Sequence, residues 1–257
     1  MNGLYSLLIA LSMYSRIPVP VIKWSRERMG YVMCWFPIVG ILIGIFLIIW
    51  IKVAEILKFG PEITGIVGVI LPILITGGIH MDGFLDTWDA LSSWGERERK
   101  LVILKDSHVG AFGVIACAVY LLLEAGAMIE LSRRETLFLL APVFVMERAL
   151  SGFSVVFFPC AKSSGLAATF SDEAKRLAAA VCLSVWLAAS VLLAWKLGGS
   201  GGVLFATGLL GVQGAVFFWY RRMSMKEFGG ITGDLAGWFL QTAEAGGIWW
   251  ALIFNCI

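Results

Sequence analysis

Apolar residues in this chain gather into long runs, separated by shorter stretches that carry most of the charge. The runs cover Leu4 to Tyr14, Tyr31 to Ile51, Ile63 to Ile79, Val109 to Leu131, Thr136 to Phe158, Leu177 to Leu197, Val203 to Tyr220 and Leu235 to Ile257. Most approach the length of about 20 residues that an α-helix needs to cross a bilayer. None alternates with the period of a barrel strand, so the pattern predicts an all-α fold, a polytopic membrane bundle of about seven or eight membrane helices. The first run is short for a crossing and reads as tilted, re-entrant or interfacial. Met1 to Ser15 has neither a basic start nor a small-residue cleavage site, so it reads as part of the mature fold and not as a signal peptide. No stretch is left over for a separate soluble unit, and residues 1–257 are expected to form a single membrane-embedded domain.

Composition strengthens the membrane assignment. Of 257 residues, 59% are hydrophobic and 15% charged, against about 45 to 50% and 25% in soluble domains. The formal net charge of +2 shows no polyanion-binding surface, which argues against nucleic acid as a partner. Cys34, Cys117, Cys160, Cys182 and Cys256 lack the paired spacing of a zinc site or disulfide framework and read as reduced, buried hydrophobes. The distribution of charge is more telling than its sum. With every run counted as a membrane element, fourteen of the twenty basic residues fall on one side, in segments around Arg16 to Arg28, Arg97 to Lys105, Lys162 to Arg176 and Arg221 to Lys226. The positive-inside rule puts that side in the cytoplasm. The longest polar segment, 80–108, is then a cytoplasmic loop.

That loop opens with Thr76-Gly-Gly-Ile-His-Met-Asp-Gly-Phe-Leu-Asp-Thr-Trp-Asp-Ala-Leu91. Asp82, Asp86 and Asp89 are four and three residues apart, so on a helix their carboxylates project from one face. Three like charges at a membrane border repel one another unless a cation neutralises them. Oxygen donors without a nearby cysteine suit Mg²⁺ or Mn²⁺, with substrate phosphates completing the shell. The bland alternative is a solvated helix start with Asp82 as a cap. Against it stand both histidines, His80 and His108, and the run Arg97, Arg99, Lys100, Lys105, Asp106, Ser107 in the same loop. Carboxylates for a metal and cations for phosphate oxygens are the components of phosphoryl transfer. Ser107 and Gly110 precede the next helix, whose N-terminus can face an anion, although Ser107 serves equally as an ordinary cap.

Gly229-Gly-Ile-Thr-Gly-Asp234 starts the final helix on the same side and reads equally as a structural turn or a binding loop. In it, Thr232 offers a hydroxyl, and Asp234 can cap the helix or join a metal shell. Arg16, beside two prolines, is either a topology anchor or a phosphate clamp. Glu124, Glu147, Arg148 and Glu244 sit inside apolar runs and should face the bundle interior. Because neighbours on a helix point about 100° apart, Glu147 and Arg148 are expected to pair with other helices instead of each other.

These strings resemble the cobalamin synthase family, adenosylcobinamide-GDP ribazoletransferase. The likeness extends in order through Ser15-Arg-Ile-Pro-Val-Pro20, Phe36-Pro-Ile-Val-Gly40, the aspartate segment, Arg97 through Gly113 and Gly229 to Asp234. It implies a multi-pass enzyme of the inner membrane whose active site faces the cytoplasm. Such an enzyme uses Mg²⁺ to join adenosylcobinamide-GDP to α-ribazole or its 5′-phosphate and releases GMP. Carried over position by position, Asp82, Asp86 and Asp89 become metal ligands, while His80, Lys105, Asp106, Thr232 and Asp234 surround the reaction. His80 or a carboxylate becomes the general base; Lys105 with Arg97 or Arg99 neutralises charge, and Arg16 and Ser107 join the substrate contacts. The sequence leaves a homo-oligomer open.

A membrane CDP-alcohol phosphotransferase shares aspartates at the membrane edge, but its usual Ala-Arg after an Asp-Gly pair is missing here. A prenyltransferase would have a second aspartate-rich motif. A transporter would put its carboxylates near mid-membrane, where only Glu124 and Glu244 lean that way.

Overall fold

In the computed structural model, which describes residues 2–134 and 137–256, the chain is helical throughout. The expected edges at Thr136 and Ile257, and Met1, lie outside the described residues. In chain order the helices are α1 (Asn2–Tyr14), α2 (Arg26–Met29), α3 (Val32–Trp35), α4 (Pro37–Ile56), α5 (Pro61–Thr76), α6 (Ile79–Ser92), α7 (Arg97–Ile103), α8 (Ala111–Leu131), α9 (Ala141–Phe157), α10 (Leu166–Glu173), α11 (Arg176–Glu227) and α12 (Gly233–Phe254). A 3₁₀ turn, Leu137–Leu140, leads into α9. No strand forms among the described residues; one isolated bridge pairs Cys160 with Ile231. Helices cover the apolar runs, but the run from Tyr31 to Ile51 breaks at Phe36 into α3 and α4, and the polar segment 80–108, read as a loop, holds most of α6 and all of α7.

Four helical stretches are long and apolar enough to cross a membrane: Pro37–Ile56, Ala111–Leu131, Leu137–Phe157 and Arg176–Glu227. The pair α5 and α6 makes a fifth if counted as one broken span, bent by 95°. At the break Gly77 and Gly78 take φ values of 67° and 77°, a left-handed conformation that glycine adopts without steric penalty. Continuous hydrogen bonding joins two expected runs in α11, but Gly199 is non-helical, with φ 59° and ψ −139°. Gly202 packs against the Ala194 carbonyl group, although the two would lie about 12 Å apart along a straight helix. The chain thus doubles back at Gly199, and α11 is a helical hairpin.

α9 is the centre of the bundle. All of its residues except Phe153 and Phe157 are buried, and α4, α11, α12 and α10 pack around it. By contrast α4 and α8 expose Ile45, Phe46, Ile49, Phe112, Ile115 and Leu122 on their outer faces. Glu124, Glu147, Arg148 and Glu244 are all buried, as their place in apolar runs required. The expected partner of Arg148 has to be corrected: its Nη1 donates to Glu147 Oε1 and to the Phe144 carbonyl oxygen, 3.1 Å away. Enclosed on every side, the long guanidinium arm folds back along its own helix and reaches the neighbouring residue despite the angular offset. Nearby, Gln241 Nε2 donates to the Tyr120 hydroxyl at 3.0 Å, and that hydroxyl donates to Glu244 Oε1 at 3.4 Å.

Removing one member of a buried ion pair leaves a lone charge and costs about 3 to 5 kcal/mol, whereas replacing both is far milder. E147L is therefore expected to lower the melting temperature of detergent-solubilised protein sharply, and E147L/R148M to recover much of the loss, as read by thermal shift and size-exclusion profile.

Candidate active site at one end of the bundle

The functional strings converge because the helices alternate in direction. α5, α7, α8 and α12 pack against α6, α1 reaches it where Tyr14 lies by His80, and α9 borders the same cavity through Ser151 and Val155. Backbone bonds tie these segments together. Arg16 N donates to the Ile75 carbonyl at 2.7 Å, and the loop after α9 pairs with the loop before α12 through Ala161 N to Ile231 O at 2.9 Å and Ile231 N to Pro159 O at 2.8 Å. Lys100, buried, bonds Glu227 at 2.5 Å and fastens α7 to the end of α11.

The decisive contact is the crossing of α6 and α12. A Cβ on Gly83 would lie 2.6 Å from the Asp234 carbonyl oxygen and 2.8 Å from its Cα; one on Gly237 would lie 3.0 Å from the His80 carbonyl oxygen. Only glycine permits this backbone-to-backbone approach. Asp234 is thereby set against the face carrying Asp82 and Asp86. Asp86 lies in the field of Asp82, Asp234, Asp89 and Asp106, in decreasing order of strength. Among the described residues Asp82 and Asp86 make no side-chain hydrogen bond.

Asp89 is spent differently. Its Oδ2 accepts from Gly110 N at 2.7 Å and its Oδ1 from Gly113 N at 2.8 Å, so the third aspartate caps α8 from another helix and satisfies two of its free N–H groups. That is the capping role open to Ser107 in the sequence; Ser107 is exposed, outside the helix whose N-cap is Gly110. Among the described residues no three His, Cys, Asp or Glu side chains form a ready-made metal group.

Thr232, not Asp234, caps α12: its Oγ1 accepts from Leu235 N at 3.2 Å and donates to Asp234 Oδ2 at 3.4 Å. Asp234 is left between two cavities. The first, about 210 Å³, is lined by Lys105, Lys162, Ser164 and Thr232. The second, about 180 Å³, is lined by Tyr14, Phe36, His80, Asp82 and Phe170. Leu166, Ala167 and Gly233 also border both. Lys162 Nζ donates to the Leu101 carbonyl at 3.1 Å. Partial burial, then the neighbouring Lys105 ammonium, hold Lys162 below the usual lysine range, while Asp234 pulls the other way.

The remaining expected residues are more peripheral. Asp106 is exposed and accepts from the His108 backbone at 3.0 Å and meets its ring nitrogen at 2.8 Å; these bonds draw its carboxyl below the ordinary range. Arg16 lies over Gly77, Arg97 over Gly229 and Arg99 against Gly95. The first two thus clasp the turns that bear the site, while Arg99 packs within its own loop. His80 is buried, its ring 6.1 Å from Tyr14 and 5.9 Å from Phe36. Sequence reading overlooked Lys162 as a site residue. Its signal was slight, a single basic residue in Cys160-Ala-Lys-Ser-Ser-Gly165 facing a loop distant in sequence.

Asp89 and Asp86 should separate on substitution. In metal-free detergent D89A removes two charge-assisted acceptors from α8, a loss of roughly 1 to 3 kcal/mol. D86N, which relieves repulsion, leaves the melting temperature unchanged or raises it. A fall as large as that of D89A would make Asp86 a structural residue.

Comparison with known proteins agrees with the convergence of motifs. The family model for cobalamin-5-phosphate synthase matches residues 6–252. A protein of Lachnoclostridium phytofermentans named adenosylcobinamide-GDP ribazoletransferase is 41% identical over 249 residues, 95% of this chain and 92% of its own. Proteins of the same name from Brevibacillus brevis and Pseudomonas fluorescens are 34% and 33% identical, covering 95% and 92% of this chain and 98% and 94% of theirs. No solved structure matches. With nearly its whole length matched, and its glycine crossing, aspartate face and lysine cavity gathered at one end, the chain belongs to the cobalamin-5-phosphate synthase family of enzymes.

Proposed function

We propose that this enzyme is an adenosylcobinamide-GDP ribazoletransferase, embedded in the inner membrane with its site at the cytoplasmic face. The reading is carried by one juxtaposition: Asp234 borders a cavity that holds Lys105 and Lys162, and on its other side lies in the shared field of Asp82 and Asp86. A pyrophosphate needs both, basic side chains for its oxygens and carboxylates that would hold a neutralising metal ion.

The donor set fits Mg²⁺. That ion takes one or two carboxylates, several waters and substrate phosphates in place of an all-protein cage. Asp82 and Asp86 would hold it, with Asp234 beside them, and Asp89 would act by fixing α8. When bound, it would neutralise charge on the pyrophosphate oxygens. Lys105 and Lys162 bind the pyrophosphate of adenosylcobinamide-GDP and stabilise charge as it gathers on the departing GMP. A ribazole hydroxyl attacks the corrinoid-side phosphorus and passes its proton to one of the aspartate carboxylates; the new phosphate ester forms as the bond to GMP breaks. The acceptor is α-ribazole or its 5′-phosphate. Arg16 and Arg97 hold the turns at Gly77 and Gly229 so that these groups stay aligned.

The exposed apolar faces of α4 and α8 support membrane embedding, since soluble proteins rarely leave such continuous surfaces uncovered. Counting the two arms of α11 separately, with α4, the α5 and α6 pair, α8, α9 and α12, yields seven membrane elements, or eight with α1. The basic residues of the loops at the site end orient that end inward.

Detergent-purified enzyme given adenosylcobinamide-GDP, α-ribazole and Mg²⁺ should release GMP, and an EDTA-treated sample should not. Equal GMP release in both samples would remove the metal from the proposal, and none in either would remove the activity. K162A should raise the KM for adenosylcobinamide-GDP about tenfold or more, the loss of one charge-assisted phosphate contact.

A further inference from the structure

The second cavity is unlike the first. Its wall is aromatic: Tyr14 and Phe36 lie 4.4 Å apart between ring centroids, and Tyr14 lies 6.1 Å from both Phe170 and His80. Val155 and Leu240 close it with apolar surface, and Tyr14, Ser151 and His80 carry its polar groups away from the aspartates. His80 is 6% exposed, and its Nε2 has no hydrogen-bond partner. A buried ring nitrogen without a partner is rare in a settled core and marks a place where a ligand atom can complete the hydrogen bonding.

We infer that this cavity receives the planar base of the acceptor nucleoside, the dimethylated benzimidazole of α-ribazole, with His80 as its polar partner. The inference rests on the transferase reading above and assigns the half of the site that the pyrophosphate leaves open. Size supports it: a cavity of about 150 Å³ takes one benzene ring, so 180 Å³ suits one small planar base and excludes a nucleotide with its sugar and phosphates. Chemistry separates the two bases in the reaction. Guanine carries an amide N–H, an amino group, a carbonyl and ring nitrogens, and an aromatic wall with so few polar groups would strand most of them. A benzimidazole joined to ribose has one free ring nitrogen, matched by one imidazole N–H, and two methyl groups that prefer apolar contact. With the base seated here, the attached ribose extends past Asp82 and Asp234 towards the lysine cavity, which is where its hydroxyl must attack. His80 then acts as a positioning residue inside a wall, not as the general base its sequence neighbourhood suggested.

The test is a split between the two substrates. V155F fills the cavity, and F170L removes a ring from its wall without filling it; neither replaces a carboxylate or a lysine. Each should raise the KM for α-ribazole by about tenfold, within the range that one pocket contact commands. The KM for adenosylcobinamide-GDP should stay within about twofold, as expected for a contact made by the acceptor alone. V155F should also penalise α-ribazole more than its analogue with an unmethylated benzimidazole, a preference that general loosening of the fold would not produce. Parallel rises in both KM values, or no rise in either, would overturn the assignment. Absence of GMP with the unaltered enzyme would instead defeat the transferase reading on which it rests.

Discussion

The site depends on two helices that touch backbone to backbone. At Gly83 and Gly237 no side chain intervenes between α6 and α12, and this contact sets Asp234 beside Asp82 and Asp86. The carboxylates repel one another, so their proximity cannot be the cause of the crossing. Packing elsewhere must offset that repulsion, and a bound cation would remove it. A fold that brings like charges together at a close backbone contact invests stability in a binding function.

Rigidity behind that contact comes from the middle of the bundle. α9 is enclosed by its neighbours, and its single buried arginine bonds along the same helix, through Nη1, to Glu147 and the Phe144 carbonyl. The end of α9 then delivers Phe158 to Gly165 to the site, where the bridge between Cys160 and Ile231 joins it to the loop before α12. Lys162 is brought beside Asp234 through this connection. One strongly buried helix thus positions the cationic wall relative to the acidic face.

Around Asp234 the site divides into two compartments of different chemistry. The lysine-lined space is suited to charged phosphate oxygens, and the aromatic space to a planar, weakly polar ring. Separation by a few shared residues keeps the two binding problems independent while holding the reacting groups close, which is how orientation lowers a bimolecular barrier. Asp89, which continues the same stripe as Asp82 and Asp86, is drawn off to hold the start of α8. A single helical face therefore serves both assembly and chemistry.

The helices, their approximate limits and the importance of the aspartate stripe were readable from the chain alone, because apolar run length and helical spacing are local properties. So was the family, through several motifs in a constant order. The partner of Arg148, the hairpin at Gly199, the use of Asp89 as a cap and the arrival of Lys162 were not readable. Each depends on which distant segment lies alongside, and a linear pattern carries no record of that. Sequence by itself determined that an apolar helical bundle gathers most of its basic residues and its aspartate stripe on one side; only the tertiary structure decided which of those charges face one another, because close packing at two glycines, not spacing along the chain, sets the distances between helices.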